Sequence, residues 1–114
     1  AFCGATCAGC GAGAGIAYLL GGDYKAVAHT IVNALAVVSG MVCDGAKPSC
    51  AAKISSAIDA GILGYELYCR GQEFLDGDGI IRKGVDNTIG NVGRMARSGM
   101  RETDRVILDI MCGC

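Results

Sequence analysis

Charged residues and proline are both scarce in this sequence. Only 18% of the 114 residues are charged, and the formal net charge is −1, which is too little for a disordered, self-repelling chain. No run of lysine or arginine exceeds two neighbours, so the sequence lacks the basic patch that binds a nucleic acid backbone. A single proline and no sustained two-residue alternation leave helical periodicity as the dominant pattern, and we therefore predict an all-α fold.

We expect neither a signal peptide nor a membrane span in this sequence. The chain opens at Ala1 without an initiator methionine, inside a segment rich in glycine, alanine and cysteine, and we interpret this as a cut end. The longest apolar stretch, residues 26–43, contains His29 and Asn33 and is flanked by charge, which favours a buried helix over a membrane span. We expect a single helical domain over residues 1–114, the C-terminal fragment of a longer cytoplasmic enzyme.

Cysteine, in contrast, is abundant, with eight residues among 52% hydrophobic composition. An even count permits a secreted, disulfide-stapled binding module, whose connectivity the sequence does not define. The apolar content supports a core without such cross-links, and the cysteines fall mostly in predicted helices. Metal or cluster chemistry in the cytoplasm is therefore the preferred interpretation.

The helical periodicity divides the chain into four to five helices. Glycines interrupt the first, central one, and they are tolerated there if another helix or a cofactor comes very close. Asp23 is a suitable cap for the second, Pro48 can open the third, and Asp86 and Thr103 are suitable caps for the last two. For the third helix we expect a buried set made up of Ile54, Ala57, Ile58, Gly61, Ile62, Tyr65 and Leu67. The predicted helices cover residues 5–20, 23–42, 48–69, 86–98 and 104–111.

Two familiar glycine-containing motifs are incomplete. The turn at residues 76–79 (DGDG) is similar to part of a calcium loop, but its twelfth position is Asn87 where a glutamate is needed. The segment 9–11 (GCG) lacks the preceding strand and the later acidic residue of a dinucleotide site. Neither motif predicts a binding site.

The spacing of three cysteines predicts a cluster or metal site. Cys43 and Cys50 flank a turn that joins two apolar helices, and Cys50 lies near a helix N-terminus, which favours the thiolate. Packing of the glycine-rich helix on the next two would bring Cys3 to the same place. Three thiolates suit a [4Fe–4S] cluster with one open iron, and they equally suit zinc with His29 or water as fourth ligand.

A family resemblance makes this site more specific. Residues 39–51 (SGMVCDGAKPSCA) resemble the signature of the L-cysteine desulfidase and iron–sulfur L-serine dehydratase α-chain family, and the cysteine steps of 40 and 7 match its spacing. Residues 17–22 and 88–93, with the later pairs 99–100 and 103–104, resemble the family too. The resemblance covers nearly the whole chain and implies its place at the C-terminal end of a much longer enzyme.

The resemblance implies an activity and its cofactor. In that family an all-helical domain holds a [4Fe–4S] cluster for α,β-elimination from L-cysteine or L-serine, without pyridoxal phosphate. It implies Cys3, Cys43 and Cys50 as ligands, and a general base from the absent N-terminal portion, so this fragment alone should be inactive. We expect contact with that portion and self-association through exposed apolar surface, but no nucleic acid or membrane partner.

Other polar residues and thiols carry weaker expectations. Asp44, Lys47 and Ser49 lie between two of the predicted ligands and could orient the cluster, bind the substrate carboxylate or simply form the turn. His29 is expected to be a satisfied core or interface histidine, and Asn33 either supports the site or bonds nearby backbone. We expect core packing for the pair Cys7 and Cys10, a plain thiol at Cys69, and an unstructured tail or an iron-capping thiolate at Cys112 or Cys114.

Overall fold

Five α-helices make up the computed structural model, which describes residues 1–113. They are α1 (Gly4–Leu19), α2 (Tyr24–Val38), α3 (Ser49–Cys69), α4 (Val85–Arg94) and α5 (Arg101–Cys112), with a π-helical turn at Met95–Gly99 between the last two. Across residues 1–113 the sole β pairing is an isolated antiparallel bridge between Phe2 and Val42. The prediction of an all-α fold with four to five helices is confirmed.

Helix boundaries follow local signals in the first half of the chain. Asp23 caps α2 by accepting a hydrogen bond from the Ala26 amide at 2.9 Å, and Pro48 precedes α3, both as predicted. The predicted extension of α2 to residue 42 is wrong: α2 ends at Val38, and residues 41–43 instead pair with residues 1–3.

The predicted caps of the last two helices are wrong. Gly84, with φ of 87°, precedes α4, while Asp86 lies in the first turn of that helix. Met100 precedes α5, so Thr103 lies inside it. A π-helical turn carries the chain directly from α4 towards α5, which removes the need for a separate cap.

Helices α1 and α3 run parallel and touch through their backbones. A Cβ atom built on Gly13 would lie 2.6 Å from the Gly61 Cα, and one on Gly9 would lie 2.2 Å from the Ala57 carbonyl oxygen. Both pairs are 48 positions apart in sequence, which fixes the parallel register. The expectation that glycine permits a close helix approach is confirmed at Gly9 and Gly13.

Helix α2 runs antiparallel to α1 and also packs closely on α3. Thr6 donates to the Val38 carbonyl at 3.1 Å at one end of the pair, and the Gly22 amide donates to Ala17 at the other. A Cβ on Gly64 of α3 would lie 2.7 Å from the Thr30 carbonyl oxygen of α2. Small side chains thus line both faces of α3.

The expected buried set of α3 is wrong in part for this reason. Its buried residues are Ala57, Ala60, Gly61 and Gly64, whereas Ile54 and Ile62 are 44% and 42% exposed. Two helices at backbone contact leave no volume for branched side chains between them. A second cluster, in which Val92 of α4 packs on Cys10, Ala34 and Leu35, closes the other side of α2.

Within residues 1–113, no helix combines the length and the apolar character needed to cross a bilayer.

Candidate functional site

Two helix N-termini meet at one end of the bundle. Because α1 and α3 are parallel with an offset of 48 residues, the level of Cys3 on α1 corresponds to position 51 on α3, next to Cys50. Cys3 is the residue that precedes α1, in an extended conformation, and Cys50 is the second residue of α3. The unpaired backbone amides and the positive ends of both helix dipoles therefore point to the same place.

The bridge between Phe2 and Val42 brings the third cysteine to this end. The Cys3 amide donates to the Met41 carbonyl at 3.1 Å, and the Cys43 amide donates to the Ala1 carbonyl at 2.5 Å. In this antiparallel pairing Cys3 and Cys43 are diagonal neighbours on one face, and such neighbours are typically about 7–8 Å apart. The structure thus brings all three cysteine positions to one end of the bundle.

The three thiols differ in burial and in their contacts. Cys3 is buried, at 6% exposure, Cys50 is half-buried and Cys43 is exposed. The Cys50 thiol donates to the Gly45 carbonyl at 3.5 Å and accepts from the Lys47 amide at the same distance. It is therefore held by the loop that separates it from Cys43.

The donor chemistry fits an iron–sulfur cluster, although the side chains are not assembled as a ligand set. Three cysteines, two at helix N-termini, provide the thiolates that such clusters need. No group of three histidine, cysteine, aspartate or glutamate side chains within residues 1–113 is arranged to hold a metal ion. The exposed Cys43 lies in the loop between α2 and α3, so its sulfur has the most room to turn inward.

Lys53 is a cation at the cysteine end of the bundle that interacts with several groups there, and the sequence alone did not identify it. Its ammonium group donates to the Val42 carbonyl at 2.9 Å and to Asp44 Oδ1 at 2.5 Å. The hydrogen bond to Asp44 raises the pKa of Lys53, and charge interactions with Cys3 and Cys50 add to this effect. Its position three residues after Cys50, on the same face of the helix, is the signal that could have identified it.

Asp44 pairs with one lysine of its own loop, Lys47, and with one of α3, Lys53. Hydrogen bonds from the two ammonium groups lower the pKa of Asp44 to about 2. Ser49, the third predicted residue of this set, is exposed at the first position of α3. Asp44 and Lys47 thus contact each other at the site, while Ser49 has no recorded side-chain hydrogen bond among the described residues.

His29 does not belong to this site. Its Nδ1 atom lies 3.2 Å from Glu73 Oε2, and its ring stacks on Tyr68 with centroids 5.7 Å apart. It occupies the N-terminal half of α2, whereas the cysteines lie beyond the C-terminal end of that helix. A zinc ion shared between His29 and the three cysteines is therefore wrong. The expected interface role of His29 stays a prediction, and its Nδ1 atom has no aligned hydrogen-bond partner among the described residues.

Asn33 has a structural position. Fully buried, it donates to the Gly64 carbonyl at 3.0 Å and accepts from the Phe74 amide at 3.1 Å. These contacts tie α2 to α3 and to the loop that follows. The alternative in which it bonds backbone is the correct one.

The remaining cysteines divide by burial. Cys10 packs in the core, where desolvation raises its pKa to about 11, while Cys7 and Cys69 are exposed. The expected core packing of the pair is confirmed for Cys10 and wrong for Cys7. All seven cysteines within residues 1–113 are free, so the stapled-module alternative finds no disulfide among them.

The end of α5 lies over the cysteine loop. The Met111 methyl group would be 2.9 Å from a Cβ atom at Gly45, and the Ala1 ammonium lies 3.1 Å from Asp104 Oδ1. Cys112, the last residue of α5, is exposed, and the helix has no buried residue. Cys112 is therefore helical rather than in an unstructured tail, while the expectation for Cys114 lies outside the described residues.

Comparison with known proteins gives one consistent family. A sequence model described as "Serine dehydratase alpha chain" matches residues 1–109. A UPF0597 protein of Desulfitobacterium hafniense is 66% identical over 111 residues, which are 97% of this chain and 26% of that protein. UPF0597 proteins of Lachnoclostridium phytofermentans and Finegoldia magna are 54% and 51% identical, each over 97% of this chain and 27% of the relative. The chain thus spans about a quarter of the length of these curated relatives, and no solved structure matches it.

Proposed function

The chain belongs to the serine dehydratase alpha chain family, and from that premise we propose that it is the cluster-binding helical part of a cytoplasmic lyase. The proposed reaction is α,β-elimination from L-cysteine, giving sulfide, ammonia and pyruvate, or from L-serine, giving ammonia and pyruvate. Cys3, Cys43 and Cys50 are the proposed ligands of a [4Fe–4S] cluster.

The parallel start of α1 and α3 is the observation that carries this proposal. It places Cys3 and Cys50 at two helix N-termini at the same level of the bundle. The first backbone amides of each helix have no acceptor within the helix, so they can donate hydrogen bonds to ligand sulfur atoms there. The pairing of residues 1–3 with 41–43 supports Cys43 as the third ligand, because it fixes that loop beside Cys3.

The proposed cofactor explains why one coordination position would stay free for substrate. A [4Fe–4S] cluster with three protein ligands leaves one iron open as a Lewis acid for a carboxylate or a leaving group. The Lys53 ammonium group, close enough to Cys3 and Cys50 to interact with both charges, offsets part of the negative charge of the thiolates. Asp44 holds Lys53 and Lys47 at the loop, so these cations also provide a binding surface for a substrate carboxylate.

A general base is not provided by these ionisable groups. The pKa of Asp44, about 2, makes this carboxylate too weak a base near neutral pH. The raised pKa of Lys53 keeps its amine protonated under the same conditions. Both observations support a base from the rest of a longer protein, consistent with the chain spanning a quarter of its relatives.

The same longer protein would cover an apolar surface at the opposite end of the bundle. Tyr18, Leu19 and Leu20, at the C-terminal end of α1, are 65–82% exposed. Contiguous exposure of this kind is typical of an interface. We propose that the remainder of the enzyme, or a second copy, packs there.

Anaerobic cluster reconstitution of the full-length protein tests the proposal. We expect iron and sulfide to bind stoichiometrically, and each of the variants C3S, C43S and C50S to lose the cluster absorbance. The matched control C69S, which changes an exposed cysteine of α3 outside the site, should retain it. Cluster retention in all three variants would overturn the ligand assignment.

Product assays on the reconstituted protein test the reaction separately. We expect pyruvate from cysteine or serine, with sulfide released in the first case. Pyruvate from neither amino acid, in a protein with a full cluster, would remove the assigned reaction while leaving the ligand assignment intact.

A further inference from the structure

A second concave site lies at the end of the bundle away from the cysteines. A pocket of about 490 Å³ opens between the N-terminal half of α2 and the loop that precedes α4. Val32 and Ile81, both buried, and Phe74 provide its apolar wall. This volume falls within the range of sites that hold a small organic molecule.

Positive charge is concentrated around this pocket. Its lining contains the cations Lys25, Arg82 and Lys83 but a single carboxylate, Asp76, although the whole chain has a net charge of −1. Asp76 lies 3.7 Å from Arg82 and accepts from the Lys83 amide at 3.2 Å, so it is already engaged. Among the described residues, the ammonium groups of Lys25 and Lys83 have no carboxylate within ion-pair distance.

His29 forms part of the pocket wall and contacts two residues outside the pocket lining, Tyr68 and Glu73. Its ring stacks on Tyr68 at 5.7 Å, and its Nδ1 atom lies 3.2 Å from Glu73 Oε2 without an aligned hydrogen bond. Glu73 contacts the imidazole but is not one of the residues that line the pocket, whose lining keeps its excess of cations. The ring gives the pocket a flat, partly apolar wall.

Distance separates this pocket from the cysteine end. Val32, the lining residue of α2 nearest to that end, lies six residues before Val38, which is about 9 Å of helix at 1.5 Å per residue. The pocket therefore shares no lining residue with the cysteine loop, and what it binds does not depend on the proposed lyase activity.

We propose that this pocket binds a small organic carboxylate with an aliphatic or aromatic body. The carboxylate interacts with Lys25, Arg82 and Lys83, and the apolar body packs on Val32, Phe74 and Ile81. An ammonium or guanidinium group beside an apolar wall binds an anion more strongly than in open water, because screening there is weaker. A neutral analogue loses this attraction, and an inorganic anion loses the apolar contact.

Titration with 4-phenylbutyrate tests the site in the 114-residue chain. His29 is the single histidine of the sequence, so its imidazole proton resonance reports on the pocket without overlap from another histidine. We expect a saturable shift with 4-phenylbutyrate, and binding at least about ten-fold weaker for the neutral 4-phenylbutanamide and for inorganic phosphate.

Charge-removing variants distinguish a specific site from general attraction. Lys25 and Lys83 are exposed, so the double variant K25Q/K83Q should fold normally and bind 4-phenylbutyrate about ten-fold more weakly. The control R105Q removes an exposed cation of α5 and should leave binding unchanged. A non-saturable shift, equal binding of the amide, phosphate binding as tight as that of the carboxylate, or an unaffected double variant would each overturn the proposal.

Discussion

Gly13 of α1 and Gly61 of α3 meet backbone to backbone, and a Cβ atom on Gly13 would lie 2.6 Å from the Gly61 Cα. This contact sets the parallel register that brings Cys3 level with Cys50. We predict that G13A destabilises the fold by about 1–3 kcal/mol, because backbone cannot yield to the added methyl group. Urea unfolding followed by circular dichroism measures the change.

The matched control for this substitution lies two residues away. Gly15 is on the same helix and has nothing within 4 Å of its Cβ position. G15A should therefore raise the free energy of unfolding by up to about 1 kcal/mol through helix propensity alone. Equal effects of the two substitutions would contradict close helix packing at Gly13.

Asn33 provides a second test of the packing. Both ends of its buried amide are satisfied, by the Gly64 carbonyl and the Phe74 amide. N33A should lower the free energy of unfolding by about 1–3 kcal/mol, because the Phe74 amide is left without a partner while the Gly64 carbonyl keeps its hydrogen bond within α3. N87A, which removes an exposed amide that donates to the Lys83 carbonyl, should change stability by less than about 1 kcal/mol.

Cys10 should react slowly with alkylating reagents. Burial raises its pKa from 9.0 to about 11, so near pH 8 it has about one hundredth of the thiolate of an ordinary cysteine. Timed iodoacetamide labelling with peptide mass spectrometry should modify the exposed Cys7, three residues earlier, well before Cys10. Comparable rates in the native protein would show that Cys10 is not protected.

The same shift predicts an alkaline dependence of stability. Because the folded-state pKa is raised, the folded protein retains the Cys10 proton between pH 9 and about 11 while the unfolded chain loses it. Stability should therefore fall as the pH rises through that window. The variant C10A should lose this component of the pH dependence.

Asp44 should control the acid response of the cysteine loop. Its two lysine partners lower its pKa from 3.8 to about 2, so the carboxylate favours the folded state above pH 3.8. That contribution should disappear as the pH falls from 3.8 through about 2. Unfolding curves of D44N, with the exposed substitution D59N as control, measure it. An unchanged acid dependence in D44N would contradict the role of the two ion pairs.

The sequence predicted the positions of the helices better than it predicted which side of each helix is buried. The boundaries of the first three helices follow local signals: the glycines after α1, the Asp23 cap of α2 and the proline before α3. The predicted buried face of α3 is correct at Ala57 and Gly61 but wrong at Ile54 and Ile62, which would normally extend a core stripe. Only the close approach of two neighbouring helices makes Gly64 a further contact position and leaves no room for the isoleucines.

By itself, the sequence determined the helical class, the family resemblance and the residue types available for a cluster, because composition and spacing are properties of the chain. The tertiary structure decided which groups share a place. In the folded chain α1 and α3 are parallel, His29 lies at the end of the bundle away from the cysteines, and Lys53 lies close to Cys3 and Cys50. These are relations between residues distant in sequence, and they depend on how closely glycine-lined helix faces pack, which no local pattern encodes.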